Sequence, residues 1–312
     1  MKKYAFGVDI GGTTCKIGFF ETSGKLLDKW EIKTNTENNG DSILSDVAKA
    51  VDNKLAQEGI SKDEVQGVGV GVPGPVKSDG IVHRCVNLGW GTVNVEEALG
   101  SLTGLKVKAG NDANVAALGE MWQGGAKGST DVVMVTLGTG VGGGIIVDGK
   151  IVPGFNGAGG EIGHITVNSD EIEACNCGQY GCLEQYASAT GIVRVAKRKL
   201  AKTTDETSLR ALEELTAKDV FDAAKAGDEI ALGLVDEVCE ILGAALSNIA
   251  CVVNPEIVVI GGGVSKAGDI LIETIQKHFV ETAFLSCRDT KFALAGLGND
   301  AGMYGCVRML LD

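Results

Sequence analysis

Residues 4–24 read YAFGVDIGGTTCKIGFFETSG, and residues 131–149 read DVVMVTLGTGVGGGIIVDG. Each stretch has an apolar run, a glycine loop, a second apolar run and a turn, which is the pattern of a β-hairpin built on glycine. The two stretches begin about 127 residues apart, and a repeat at that distance indicates a duplicated supersecondary element. The pattern therefore predicts two related α/β lobes, each offering a glycine hairpin to one cleft.

The rest of the chain alternates buried-type strands with amphipathic helices. At 312 residues it is longer than one hydrophobic core usually supports. We expect a small lobe over residues 1–115, completed by a C-terminal helix over 301–312, and a large lobe over 116–300. Apolar spacing predicts strands at 4–10, 16–20, 26–33, 65–72, 107–109, 131–137, 145–147, 257–260 and 291–295. It predicts helices at 41–59, from just after the NDAN motif at 111–114 to about 122, and at 183–201, 208–216, 219–226, 229–252, 266–281 and from 301.

The chain has three glycine clusters, at residues 11–12, 138–144 and 261–263. Such clusters bring backbone N–H groups close to a ligand, which is commonly phosphate. The first cluster follows Asp9, whose carboxylate is placed to meet a hydrated Mg²⁺. The third cluster lies between a strand and a helix, where an adenine or ribose can lie flat against the backbone. An ordinary turn or tight packing also explains such glycines. The candidate nucleotide-binding residues are Gly11, Gly12, Thr13, Thr14, Thr139, Gly140, Gly262 and Gly263.

Asp112 lies at a junction between a predicted strand and a predicted helix. An isolated Asp at such a junction is by default a helix N-cap. The carboxyl end of a strand is also where α/β folds place catalytic groups. Both roles stay open for Asp112 at this point.

Residues 159–188 read GGEIGHITVNSDEIEACNCGQYGCLEQYAS and hold a dense set of metal-binding groups. Cys175, Cys177 and Cys182 supply three sulfurs, and His164 is the only nearby histidine. Zinc prefers four N or S donors in a tetrahedron, so these four residues predict a closed structural zinc site. The alternative is three reduced cysteines beside an ordinary histidine.

Two carboxylates flank the proposed metal ligands. Glu161 precedes His164 by three residues, and Glu184 follows Cys182 by two. Folding of the loop on zinc would bring both carboxylates toward one place, where they could accept hydrogen bonds from vicinal hydroxyl groups. Taken singly, each also fits an ordinary solvated surface charge.

The formal net charge of −13 disfavours nucleic acid and anionic membranes as partners. A strand by about Tyr4 leaves no room for a signal peptide or a DNA-binding helix pair, and the longest uncharged runs are too short and glycine-rich to span a bilayer. Nine cysteines, an odd number, without an export signal fit a reducing compartment. We therefore expect a soluble cytoplasmic protein.

Several motifs occur in order across nearly the whole chain: DIGGTT, NDAN, TLGTGVGGG, GGEIGH and CxCGxxGCxE. Together they resemble the bacterial ROK family of sugar kinases, and the cysteine motif is specific to that family. The glycine hairpins are shared with the wider actin-like ATPase superfamily. The resemblance implies a two-lobed actin-like (ribonuclease-H-like) α/β fold, each lobe a mixed sheet flanked by helices, with a zinc-stabilised loop in one lobe.

The resemblance also implies a reaction, ATP-dependent phosphorylation of a hexose at its 6-hydroxyl, with glucose as the expected substrate. It makes Asp112 the general base, with ATP and Mg²⁺ as the phosphoryl donor and its metal. It implies a homodimer or homotetramer. Sugar contacts would come from Asn111, Asp112, Glu161, His164 and Glu184, and structural zinc would bind His164, Cys175, Cys177 and Cys182.

One position departs from the commonest family pattern, in which a lysine directly follows GGT. Here Thr14 holds that position and Lys16 is the nearest lysine, an arrangement shared with members that phosphorylate glucose. Lys16 is therefore included as a candidate phosphate contact. The alternatives are a kinase for fructose, mannose or an N-acetylated hexosamine, a sugar-sensing repressor or other non-catalytic sensor, and an inactive scaffold. The acidic charge argues against a repressor, and the intact Asp112 and hairpins argue against a scaffold.

Overall fold

The computed structural model describes residues 2–77 and 79–311. The strands are β1 Tyr4–Ile10, β2 Thr14–Glu21, β3 Leu26–Lys33, β4 Val65–Val72, β5 Ile81–Val82, β6 Val93–Asn94, β7 Val107–Asn111, β8 Val132–Leu137, β9 Val141–Val147, β10 Lys150–Ile151, β11 Ile257–Gly261 and β12 Lys291–Leu294. The helices are α1 Ile43–Glu58, α2 Val95–Thr103, α3 Asp112–Gln123, α4 Glu184–Ala187, α5 Ala189–Lys202, α6 Ala217–Lys225, α7 Glu229–Val253, α8 Asp269–Thr282 and α9 Ala301–Met309.

The chain divides into two compact units. The first unit comprises Met1–Thr130, Gly144–Gly160 and Gly296–Asp312, and the second comprises Asp131–Gly143 and Glu161–Ala295. This division differs from the boundaries expected from the sequence, because residues 116–130, 144–160 and 296–300 lie in the first unit. Helix α3 follows β7 directly and packs against α9, so both helices stay with the first sheet. The C-terminal helix lies in the first unit.

A five-stranded mixed sheet in the order β3-β2-β1-β4-β7 forms the centre of the first unit. Strands β1 and β2 form the antiparallel hairpin, whereas β4 and β7 run parallel to β1. Apolar side chains of α1 and α2 pack against the sheet in one core cluster, and α9 contributes to another. The parallel register aligns Asp9 with Gly71 and Val72 with Asn111, so the carboxyl ends of β1, β4 and β7 lie along one edge.

The second five-stranded sheet has the order β10-β9-β8-β11-β12. Strand β11 pairs in parallel with β8 and with β12. The division between the two units falls within β9, after Gly143. The second unit has a large apolar core, to which β8, β11 and the long helix α7 contribute. None of the helices among the described residues has both the length and the apolar character needed to cross a bilayer.

Most elements agree with the sequence-based predictions, and the exceptions have physical reasons. The predicted helix at 208–216 is wrong: only a short 3₁₀ turn forms at Ser208–Ala211, where Asp228 accepts hydrogen bonds from Thr207 and Ser208. The predicted helix at 183–201 is broken at Ser188, whose side chain caps α5. Helix α2 was not predicted. Strand β9 starts earlier than predicted, at Val141, so three of the loop glycines are part of the strand.

Candidate active site and metal centre

The polar residues of the first unit that are candidates for the active site lie at the edge formed by β1, β4 and β7. Asp9 pairs with Lys16 across the β1–β2 hairpin. Burial raises the pKa of the Asp9 carboxyl to about 6; the charge of Lys16 opposes that rise and the charge of Asp112 adds to it. The contribution from Asp112 reflects the carboxyl ends of β1 and β7, which lie along the same edge of the sheet with β4 between them. The two predicted carboxylates of this unit therefore share one electrostatic environment.

The turn between β1 and β2 has one exposed side. Gly12 and Thr13 are exposed, while the turn is closed by the N–H of Gly11, which donates to the carbonyl of Thr14 at 3.0 Å. The Thr34 hydroxyl donates to the Gly11 carbonyl at 2.7 Å and ties the turn to the end of β3. The turn is thus held in place by these hydrogen bonds and exposes backbone amides and hydroxyl groups, which are suitable partners for phosphate.

The start of α3 shows which residue caps the helix. The helix is capped by Asn111, whose Oδ1 accepts from the N–H of Asn114 at 3.1 Å. Asn111 Nδ2 donates to the Gly74 carbonyl at 3.1 Å and to Asp112 Oδ1 at 3.0 Å. The capping role for Asp112 is therefore wrong. Its carboxylate is the first side chain of the helix, held by Asn111 and by the N–H of Ala113 at 2.8 Å.

In the second unit, the four predicted metal ligands come together. The donor atoms of His164, Cys175, Cys177 and Cys182 all lie within 4.8 Å of one another. Cys175 Sγ is 4.0 Å from His164 Nδ1, and Cys177 Sγ is 3.6 Å from Cys182 Sγ. Tetrahedral zinc with bonds of 2.0–2.3 Å separates its ligands by roughly 3.5–3.8 Å, so the four groups fit such an ion.

The backbone and the chemistry of the cluster support the same assignment. Gly178 and Gly181 both adopt positive φ, at 86° and 69°, which a side chain would disfavour and which lets the loop bring its sulfurs inward. In the absence of a cation, burial raises the pKa of the Cys182 thiol to about 12. A cation would be needed to keep three thiolates together, as zinc does.

The carboxylate of Glu184 lies between the cluster and the second glycine hairpin. Its Oε2 accepts from the N–H of Val141 at 3.0 Å, and its Oε1 lies 3.7 Å from Cys175 Sγ. A Cβ at Gly140 would lie 2.1 Å from Glu184 Oε2, so only glycine fits there without moving the carboxylate. Glu161 is exposed and precedes the 3₁₀ turn Ile162–His164, which ends on the exposed His164.

The hairpin loop at Gly138–Gly140 rests on the start of α5. The Thr190 hydroxyl donates to the carbonyl of Thr139 at 2.8 Å, and the Ala189 N–H donates to that of Gly138 at 2.8 Å. The side chain of Thr139 is left exposed, as a phosphate contact requires.

A cavity of about 290 Å³ lies beside the third glycine cluster. Gly263 is part of its wall, whereas Gly262 packs against the backbone of Leu137 with φ of +82°. Sequence analysis missed the opposite wall, which is formed by α6, because the apolar residues of this helix look like ordinary core positions. The other lining residues are Ala189, Thr216, Ala217, Lys218, Phe221, Asp222, Lys225, Val264, Lys266 and Ala267.

The predicted site residues thus fall into two groups, each described within its own unit. Asp9, Gly11, Gly12, Thr13, Thr14, Lys16, Asn111 and Asp112 belong to the first unit. Thr139, Gly140, Glu161, His164, Cys175, Cys177, Cys182, Glu184, Gly262 and Gly263 belong to the second.

Comparison with known proteins identifies relatives that match nearly the whole chain. The model of the ROK family matches residues 5–312. The chain is 47% identical to a glucokinase of Halalkalibacterium halodurans, covering 97% of this chain and 93% of that protein. It is 37% identical to a glucokinase of Thermotoga maritima, covering 98% and 96%.

Among solved structures, a ROK family glucokinase from Streptomyces griseus in complex with glucose and AMPPNP superposes with a TM-score of 0.75. It is 32% identical and covers 98% of each chain. The predicted fold class, two mixed sheets flanked by helices in an actin-like ATPase arrangement, is confirmed by this match. Because the family model and these relatives span the chain from end to end, this protein belongs to the ROK family.

Proposed function

We propose that this protein catalyses the ATP-dependent phosphorylation of glucose at the 6-hydroxyl. The observation that carries the proposal is 47% identity, over 97% of the chain, to a protein named glucokinase. Each unit adds chemical support. The first has the carboxylates of Asp9 and Asp112 at one sheet edge and a glycine hairpin, and the second has the loop at Gly138–Gly140 and the Glu184 carboxylate beside the Cys/His cluster. Each of these parts has a distinct task in phosphoryl transfer from ATP to a sugar hydroxyl.

Asp112 is proposed as the general base. A sugar hydroxyl attacking the γ-phosphorus must lose its proton, and a carboxylate within hydrogen-bond reach accepts it. The hydrogen bonds from Asn111 and Ala113 leave Asp112 in a fixed orientation at the start of α3. Asn111, whose amide also joins Gly74, is proposed to contact the sugar beside it.

The remaining hexose contacts are proposed from the second unit. Glu161 and Glu184 can accept hydrogen bonds from sugar hydroxyls, since ionised carboxylates are acceptors only. His164 Nδ1 faces Cys175, which leaves Nε2 of the same ring for the sugar. One histidine can therefore serve the metal cluster and the hexose at once.

The nucleotide is proposed to bind through all three glycine clusters. Gly11, Gly12, Thr13, Thr14, Thr139 and Gly140 offer amides and hydroxyls to phosphates, and Lys16, which now donates to the Asn299 carbonyl at 3.3 Å, can add a positive charge. The cavity beside Gly263 has an aromatic wall at Phe221 and suits an adenine base. Mg²⁺ held through Asp9 would neutralise phosphate charge.

His164, Cys175, Cys177 and Cys182 are proposed to hold a structural Zn²⁺, which cross-links the loop and has no open coordination position. We expect about one zinc per chain in the purified protein, measured by plasma mass spectrometry. Removal with a chelator should disorder the loop and weaken glucose binding before it lowers global stability, because the loop is a small part of the second unit. Folded, fully active protein without zinc would refute this role.

The substrate proposal is tested by ADP release from MgATP with a panel of sugars. The panel comprises glucose, mannose, fructose, N-acetylglucosamine, N-acetylmannosamine and a control without sugar. Glucose should give the highest kcat/KM by at least roughly 10-fold, since a site built to bind each hydroxyl rejects analogues that leave its polar groups unpaired. A higher kcat/KM for another sugar would contradict glucose as the substrate but would leave the proposed kinase activity in place. Sugar binding without turnover would indicate a sensor.

A further inference from the structure

Glu171 is a buried carboxylate in the metal-binding loop that the phosphoryl-transfer chemistry does not use. Its side chain is 1% exposed. Oε1 accepts from the backbone N–H groups of Ile172 and Glu173, both at 2.9 Å, and Oε2 accepts from the Tyr186 hydroxyl at 2.7 Å. A buried charge with so many partners holds its neighbours firmly, because removing one partner leaves polar groups unsatisfied.

Two arginines of α5 complete the surroundings of Glu171. Arg198 forms a bidentate pair, with Nη1 at 2.8 Å from Oε2 and Nη2 at 3.0 Å from Oε1. Arg194 Nη2 lies 2.7 Å from Oε2 as an ion pair without hydrogen-bond alignment. The Arg198 guanidinium holds the pKa of the Glu171 carboxyl far below its usual range. Glu171 is therefore ionised at neutral pH and connects the metal-binding loop to α5.

The same network reaches both residues that follow Glu184. Tyr186 binds Glu171 and also accepts from Asn168 Nδ2 at 2.8 Å. The Gln185 side chain donates from Nε2 to the Glu173 carbonyl at 2.9 Å and accepts at Oε1 from the N–H of Cys182 at 3.1 Å. The backbone carbonyl of Gln185 accepts from Arg194 at 3.2 Å. These contacts connect the loop on both sides of Cys175 to the helix that carries Glu184.

Helix α4, which carries Glu184, has only four residues. A single helical turn has no stability of its own, so tertiary contacts decide where its side chains point. The Glu184 carboxylate accepts from one backbone N–H, that of Val141, and has one further, longer contact of 3.7 Å with Cys175 Sγ. Its placement must therefore come largely from the contacts of its neighbours Gln185 and Tyr186.

We propose that Glu171 is a positioning residue: through Tyr186, Arg194 and Arg198 it sets the orientation of α4 and of the metal-binding loop. It thereby arranges Glu184 for the hexose and the Cys/His cluster for zinc before either ligand binds. This inference rests on the proposed roles of Glu184 and of the cluster. Glu171 does not touch the substrate, so its loss should act on binding more than on the chemical step.

The test compares Glu171→Gln with Glu173→Gln as a matched control. Glu173 contacts the same two arginines, but its side chain is 60% exposed, and exposed ion pairs contribute little. Glu171→Gln should raise KM for glucose at least roughly 5-fold with a smaller change in kcat, whereas Glu173→Gln should stay near wild type. Equal KM in wild type and Glu171→Gln would overturn the proposal.

A second readout uses no activity. In chelator-treated full-length protein, amide hydrogen exchange over residues 165–186 should accelerate at least roughly 10-fold in Glu171→Gln, while α7 keeps its wild-type protection. Faster exchange in α7 as well would reduce Glu171 to a general stabilising role, and unchanged loop exchange would overturn its positioning role. If wild type phosphorylates no sugar, the proposed function fails, but this exchange experiment still decides whether Glu171 orders the loop.

Tyr186→Phe keeps the proposal testable if Glu171→Gln does not fold. This substitution removes only the hydroxyl between Glu171 and Asn168 and leaves every charge in place. It should raise KM for glucose and loop exchange in the same direction as Glu171→Gln, by smaller factors. A Tyr186→Phe protein indistinguishable from wild type in both measurements would contradict the proposed route from Glu171 to α4.

Discussion

Asp112→Asn is expected to lower kcat at least about 100-fold while glucose binding changes by no more than a few fold. Asparagine keeps an oxygen that can accept from Asn111 and from the N–H of Ala113, so the local structure should persist. It has no basicity, so it cannot take the proton of the attacking hydroxyl. Steady-state kinetics give kcat, and calorimetric titration with glucose gives the binding constant.

The control for Asp112→Asn is Asp269→Asn. Asp269 is the first residue of α8 as Asp112 is of α3, and it shares the favourable position of a carboxylate at a helix N-terminus. No chemical role is proposed for it, so its loss should leave turnover near wild type. Near-normal turnover in Asp112→Asn would remove that residue from the role of base, whatever the control shows.

Asp9→Asn is expected to make the metal-free protein more stable and nearly inactive. Burial raises the pKa of Asp9 from 3.8 to about 6, which means that the fold disfavours the ionised form. Stability of the wild type therefore falls as pH rises from about 4 to above 6, and removing the carboxylate restores it. The shift corresponds to about 2–3 kcal/mol at pH 8, and to roughly half of that at pH 5.

Urea unfolding without Mg²⁺ measures this gain. The chain has three tryptophans, Trp30, Trp90 and Trp122, and all lie in the first unit with Asp9, so their fluorescence reports the unfolding of that unit. Asp28→Asn serves as the control: the hydrogen bond from Lys54 lowers the pKa of Asp28, so its loss should not stabilise the protein. If Asp9→Asn is no more stable than wild type at pH 8, the claim that burial of the ionised Asp9 carboxylate destabilises the fold is wrong.

The activity of Asp9→Asn should fall at least about 100-fold, because an amide does not hold hydrated Mg²⁺ as a carboxylate does. In wild type, protonation of Asp9 should weaken the response to Mg²⁺ as pH falls through about 6. Kinetics at several Mg²⁺ concentrations between pH 5 and 8 measure this change. Wild-type activity in Asp9→Asn would exclude Asp9 from the metal-binding role.

The sequence predicted the parts of the fold whose signal is local. Strands β1, β3 and β4 have the predicted bounds. β1 and β4 are largely apolar runs followed by glycine or proline, and β3 follows the Ser23-Gly24 turn. The clustering of His164, Cys175, Cys177 and Cys182 was also predictable, since their spacing on one loop limits how far apart they can lie. Their binding of zinc remains a prediction. The roles of the substrate-binding residues remain predictions.

Features that depend on tertiary contacts were beyond a reading of the sequence. Nothing local to residues 208–216 shows that Asp228 will bind the backbone N–H of Ser208 or that the segment will form only a short 3₁₀ turn. The capping role went to Asn111 instead of Asp112 because β7 extends to residue 111, two residues beyond its apolar run. The network around Glu171 joins residues up to 27 positions apart, and its members look like separate surface charges along the chain.

The close approach of Gly140 to Glu184 has a consequence for inheritance. Every missense change in codon 140 adds a Cβ, and this atom would lie 2.1 Å from Glu184 Oε2. The carboxylate can swing away, so the chain would still fold, but it would give up the N–H of Val141 and its proposed place beside the sugar. We therefore expect an allele altered at this codon to encode a protein that folds and accumulates normally. Selection would act against it only through its reduced catalytic activity.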